Sequence, residues 1–98
     1  MNYDGTERIR RFRTLEIMDI AMRINGTAPI RREAAKRPTV FVRFEGHVHS
    51  VYVEIHKDGW RAGSYPDISM GGCLNDDYEM EKILTTLLNV LSEKEKSS

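Results

Sequence analysis

The stretch TVFVRFEGHVHSVYVEIHKDGWRAGSY, residues 39–65, decides the fold. From Thr39 to Glu45 the side chains alternate, with Val40, Val42 and Phe44 on one face and Phe41, Arg43 and Glu45 on the other. A period of two marks a half-buried strand. Gly46-His47 fits a two-residue type II′ turn, which takes glycine first. The next strand is then expected from about Val48 to His56. Asp58-Gly59 signals a second tight hairpin, and a third strand follows from about Trp60 to Tyr65, ending at Pro66.

Two-residue turns set the register, so the faces can be derived. They put Val42 opposite Val51, Val40 opposite Val53 and Phe44 opposite His49. In the second hairpin Ile55 faces Ala62 and Lys57 faces Trp60. The expected core face carries Val40, Val42, Phe44, Val51, Val53, Ile55, Trp60 and Ala62. The opposite face carries a row of Phe41, Tyr52 and Tyr65, ringed by Arg43, Ser50, Glu54, His56 and Arg61.

Helical patterns lie on both sides of these strands. The first runs from about residue 5 to 25. Asp4 caps it, Glu7 completes a capping box, and Asn25-Gly26 supplies a left-handed stop. At 100° per residue Ile9, Phe12, Ile17, Ile20 and Ile24 form one broad stripe, and Leu15, Met18 and Met22 form a second, nearly opposite. One stripe suffices to pack on a sheet. The second is left for another subunit, a partner, or the polar, basic loop from Thr27 to Pro38, in which Ile30 and Ala34-Ala35 allow a short helical turn. The loop from Pro66 to Asn75 contains Gly71, Gly72 and Cys73. The last helix is expected from about Asp77 to Glu93, capped by Asp76 with Glu79 three residues on. Its apolar stripe is Met80, Ile83, Leu84, Leu87, Leu88 and Leu91, and residues 94–98 read as a frayed tail.

The expected fold class is therefore α+β, a three-stranded antiparallel meander with an N-terminal and a C-terminal helix (α-β-β-β-α), both helices packed on one sheet face. This order is similar to that of double-stranded RNA-binding domains. That family reads RNA partly with lysines at the start of its last helix. Here Asp76, Asp77, Glu79 and Glu81 hold that place, and their charge opposes phosphate. The resemblance is one of element order, and order alone does not carry function.

Composition excludes several classes. The chain has 98 residues, 40% of them hydrophobic, which fits a single α+β domain over residues 1–98. No apolar run approaches the ~20 residues of a membrane span. Asp4 and Glu7 with no apolar stretch beside them do not read as a secretory signal. One cysteine rules out an internal disulfide and fits a cytoplasmic setting. The net charge is zero, yet residues 1–43 carry ten basic and five acidic side chains, and residues 44–98 carry five and ten. Either the halves neutralise each other, or a basic face meets a polyanion or an acidic partner.

No catalytic pattern stands out. His47 and His49 share one strand face but lack a third metal ligand. Cys73 follows two glycines without a triad signature, and Gly71-Gly72 lacks the Gly-Lys-Ser/Thr ending of a phosphate loop. No metal, cofactor or small-molecule substrate is expected, and no enzyme activity. The expected function is that of a small cytoplasmic regulatory or accessory module that binds another protein or itself as a homodimer. Many such chains serve bacteria and their phages. The partner-binding residues would be Phe41, Arg43, Tyr52, Arg61 and Tyr65 on the sheet, and Leu15, Met18 and Met22 on the first helix. The alternative is nucleic-acid binding by the aromatic row together with Arg8, Arg10, Arg11, Arg13, Arg31, Arg32 and Arg37.

Overall fold

The computed structural model describes residues 5–28 and 37–96. Alternating residues form β1 (Thr39–Glu45) and β2 (Ser50–His56), which pair antiparallel. Val42 faces Val53, Val40 faces Ile55 and Phe44 faces Val51. The expected register is thus off by two residues. The connection is the four-residue stretch Gly46–His49 rather than a two-residue turn. The Val48 N–H donates to the Glu45 carbonyl at 3.3 Å, and it is His49, not Gly46, that takes a left-handed φ of 50°. A slip of two keeps every side chain on its face. Val40, Val51, Val53 and Ile55 are buried as expected, with Val42 packed against them.

The third strand is elsewhere than expected. β3 spans Ile68–Cys73 and pairs with β2, with Ile68 opposite Ile55, Met70 opposite Val53 and Gly72 opposite Val51. Residues 60–65 belong instead to a long connection. The turn at Asp58-Gly59 does form: the Gly59 N–H reaches the His56 carbonyl at 3.3 Å with φ at 96°. The chain then turns again, with the Ser64 N–H on the Arg61 carbonyl at 3.0 Å and Gly63 at φ 80°. Asp67 closes the base of the connection, its carboxylate accepting the Lys57 N–H at 2.7 Å. As a strand, residues 60–65 would turn Trp60, Ala62 and polar Ser64 inward, whereas β3 packs Ile68 and Met70 against the core. Trp60 and Ala62 are accordingly exposed rather than core.

Two glycines of β3 lie at close approaches. A Cβ at Gly72 would lie 2.9 Å from Glu79 Cβ and 3.3 Å from Ile83 Cδ1. A Cβ at Gly71, on the other face, would lie 3.3 Å from the Tyr52 ring. These glycines serve close approach, with a helix on one side and a ring on the other.

α1 (Gly5–Asn25) and α2 (Asp77–Lys96) cover the core face side by side, running in the same direction. Arg13, midway along α1, meets Asp77 at the start of α2, and Lys94 meets Ile24 near the ends of both. α1 buries Ile17, Ile20, Ala21 and Ile24. Ile9 and Phe12, expected on the same stripe, are exposed: among residues 6–16 none is buried, and α1 enters the core only through Ile17–Ile24. α2 buries Met80, Ile83, Leu84, Leu87, Val90 and Leu91, leaving Leu88 exposed where Val90 was not anticipated. The Asp76 carboxylate caps α2 by accepting the Glu79 N–H at 3.0 Å. Glu79 does not return the bond to Asp76 as a capping box would; it accepts the Cys73 N–H at 3.0 Å. Lys94–Lys96 are helical rather than frayed. Lys94 Nζ donates to the carbonyls of Arg23 and Ile24 at 3.0 and 2.8 Å, satisfying the last turn of α1. The expected cap Asp4, the turn around Ile30 and Ala34-Ala35, and residues 97–98 lie outside the described residues.

Candidate interaction surfaces

The sheet face turned away from the helices carries Phe41, Arg43 and Glu45 from β1, Ser50, Tyr52, Glu54 and His56 from β2, and Ser69, Gly71 and Cys73 from β3. Arg43 and Tyr52 sit directly opposite each other, and the guanidinium carbon lies 4.7 Å from the ring centroid. That cation–π contact is worth about 0.5–1 kcal/mol at an exposed site. Arg43 Nε also donates to Glu45 Oε2 at 3.3 Å. Gly71, opposite Tyr52, puts no side chain against its ring.

Phe41 joins a different cluster. Its ring meets His56 edge-on at 5.6 Å and Trp60 at 6.5 Å. Trp60 thus folds back from the β2–β3 connection onto the outer face, which leaves His56 only 4% exposed. The predicted row of Phe41, Tyr52 and Tyr65 is not formed. Gly71 stands beside Tyr52 where Tyr65 was expected, and Tyr65 lies in the connection at 91% exposure. Arg61 is on the same connection, also exposed. The aromatic surface is therefore Phe41 with half-exposed Trp60, next to the Arg43–Tyr52 pair. Sequence reasoning placed Trp60 on the core face; the available signal against it was the weak inward set that residues 60–65 offer, with small Ala62 and polar Ser64 beside it.

The second apolar surface is the outward stripe of α1. Leu15, Met18 and Met22 are 65%, 41% and 45% exposed, on the opposite side from the buried isoleucines. Phe12, 65% exposed, adjoins Leu15 about 60° round the helix.

The basic residues are dispersed. The Arg13 side chain is only 18% exposed, and its Nη1 donates to Asp77 Oδ1 at 2.6 Å with Glu81 Oε1 3.8 Å from Nε. Here the basic and acidic halves meet within one chain. Arg8, Arg11 and Arg37 are exposed, Arg10 is half-buried, and Arg31 and Arg32 lie outside the described residues.

His47 and His49 are in the exposed β1–β2 loop rather than on a strand, and Cys73 is exposed on the outer face of β3. Among the described residues no three His, Cys, Asp or Glu side chains are grouped as metal ligands. An open hollow of about 380 Å³ lies in the β2–β3 connection, lined in part by His56, Asp58, Arg61, Ser64 and Asp67. Ser64 Oγ is 3.5 Å from His56 Nδ1, but its hydroxyl donates to the Arg61 carbonyl at 2.7 Å. Its Oγ also accepts the Arg61 N–H at 3.2 Å, so this serine closes the turn. No described helix is long and apolar enough to cross a membrane.

No protein-family model, curated protein or solved structure matches this chain.

Proposed function

We propose that this chain is a small non-catalytic regulatory or accessory module of the cytoplasm, acting through protein–protein contact and self-associating as a homodimer. The observation that carries this reading is the outward stripe of α1. Leu15, Met18 and Met22 hold their apolar bodies in water on a helix whose other side already packs the core. Burying side chains of this size releases about 1.5–3 kcal/mol each when complete. Methionine adapts to irregular partners. The outer sheet face adds Trp60, Tyr52 and Arg43, the three residue types most enriched among binding hot spots.

Light scattering coupled to size exclusion tests it. The expected result is a dimer that Met18→Asp dissociates, with the fold retained by circular dichroism. A strict monomer in which Met18→Asp and Tyr52→Ala change nothing but stability counts against it.

Nucleic-acid binding is the second reading, favoured by one arrangement: Trp60 over Phe41, beside Arg43, offers stacking rings next to a cation. Against it, Arg13 is committed to Asp77 and Glu81. Anisotropy titration with single-stranded DNA, duplex DNA and duplex RNA separates the two. Binding that weakens steeply with salt and is lost in Trp60→Ala selects nucleic acid.

A further inference from the structure

We propose that the homodimer forms edge to edge through β1, two copies pairing antiparallel about a two-fold axis at Phe44. This rests on the protein-contact reading above and names its interface. The strand order β1-β2-β3 leaves β1 and β3 as sheet edges. On β1, the Asn25 side chain accepts the Val40 N–H at 2.7 Å and donates to the Val40 carbonyl at 2.9 Å. Both main-chain groups of Val40 therefore point away from β2, and with a period of two so do those of Val42 and Phe44. Asn25 acts as a neighbouring strand for Val40 alone. Nothing among the described residues pairs with Val42 or Phe44 on that side. The β3 edge is blunted at its far end, where Glu79 takes the Cys73 N–H.

Three antiparallel registers are compatible with a two-fold axis near the open pair. One centred on Val42 needs Val40 to pair, and Asn25 occupies it. One centred on Arg43 sets Arg43 against its own copy, like charge on like. The register centred on Phe44 sets Arg43 opposite Glu45 of the second copy, twice, and brings together two Phe44 rings that are 55% exposed in the single chain. Charge and apolar surface both favour the third register.

The helices agree with it. Met18 lies seven residues before Asn25, within ~20° of its direction on the helix, whereas Arg13, which faces α2, lies about 120° round. The buried stretch Ile17–Ile24 runs over the sheet, so moving back from Asn25 carries the helix from Val40 toward Phe44. Met18 thus overhangs the open part of the β1 edge. Edge pairing sets the two α1 helices side by side with Met18 and Met22 between them, covering the stripe and completing the ladder at once.

Cysteine cross-linking tests the register in a Cys73→Ser background. Arg43→Cys and Glu45→Cys proteins are purified separately and mixed under mild oxidation. Facing Cα atoms in such a pair are about 4.5 Å apart, within disulfide reach. Like positions are diagonal at roughly 7–8 Å and out of reach. The expected result is a cross-linked dimer in the mixture and none in either protein alone, with Phe44→Lys, folded by circular dichroism, running as a monomer. A dimer that survives Phe44→Lys, gives no mixed cross-link and dissociates in Met18→Asp overturns the edge pairing while leaving the protein-contact reading standing. A monomer at every concentration overturns both dimer readings.

Discussion

Gly72→Ala isolates the packing that makes β3 a strand. The added Cβ would stand 2.9 Å from Glu79 Cβ, 3.3 Å from Ile83 Cδ1 and 3.4 Å from the Glu79 main-chain carbon. Carbon atoms rest at about 3.5–4.0 Å. The contact at Glu79 cannot be relieved by rotating a side chain, because Cβ moves only with the backbone. That backbone is held by the Asp76 cap and by the Glu79 carboxylate on the Cys73 N–H. Ile83 is fully buried and has nowhere to turn. The first turn of α2 must therefore back off the sheet by several tenths of an ångström. Overpacking of this kind costs about 1–3 kcal/mol. Replacing glycine by alanine returns about 0.4–1 kcal/mol by restricting the unfolded chain. The net expectation is a loss of ~1–2 kcal/mol. At roughly 4–8 °C per kcal/mol for a domain this size, Tm falls by about 4–16 °C.

Gly71→Ala is the control. Its Cβ would meet the Tyr52 ring at 3.3 Å and the Val51 carbonyl oxygen at 3.5 Å. Tyr52 is only half-buried, and its ring can swing off the sheet at small cost. Thermal and urea denaturation followed by circular dichroism should rank Gly71→Ala near the parent and Gly72→Ala well below it. Equal stability of Gly72→Ala and the parent would refute the claim that α2 touches β3 here. Equal losses at both positions would refute the explanation by distance and point to a general cost of side chains in this strand.

Three further outcomes follow from single contacts. Asn25→Ala removes both bonds to Val40 and should lower stability by ~1–2 kcal/mol in urea titration, with faster amide exchange at Val40. Lys94→Met removes the cation from the last carbonyls of α1 and should cost about 0.5–1 kcal/mol at low salt, a difference that shrinks as salt is added. Phe41→Ala takes away a ring neighbour of Trp60, the sole tryptophan, so its emission should shift to the red and its quenching by acrylamide should rise; an unchanged spectrum would place Trp60 off the sheet.

What was legible in the sequence was what rests on local period and side-chain parity. The helices were read within a few residues because their ends carry chemical stops. Asn25-Gly26 is a left-handed cap at φ 78°, and Asp76 is a cap that bonds the third N–H of α2. The end of α2 was not legible, because Lys94 is held by carbonyls of α1, which are remote in sequence. Likewise Ile9 lies within about 20° of Ile20 round the helix, and only the tertiary arrangement removes it from the core. β3 was missed for a physical reason. Gly71-Gly72 reads locally as a loop, and the demand for glycine at Gly72 comes from Glu79 on the helix packed over it.

The candidate surfaces were legible to the extent that they depend on parity. Counting two turn residues where there are four displaced β2 by an even number, so Phe41, Arg43 and Tyr52 stayed on the outer face and Val40, Val51 and Val53 on the inner one. An odd error would have inverted both. The error at β3 was of a different kind, because it exchanged one segment for another. It removed Tyr65 from the sheet and moved Trp60 from the inner face to the outer one. The outer face kept its aromatic character through that exchange, but the chemistry changed from a tyrosine on a strand to a tryptophan on a connection. A ring carried on a loop can move to meet a partner, whereas Arg43 and Tyr52 are held by the ladder beneath them. The β1 edge depends on neither assignment. Its open groups follow from Asn25 occupying Val40, a contact between residues fifteen apart that no period in the sequence encodes.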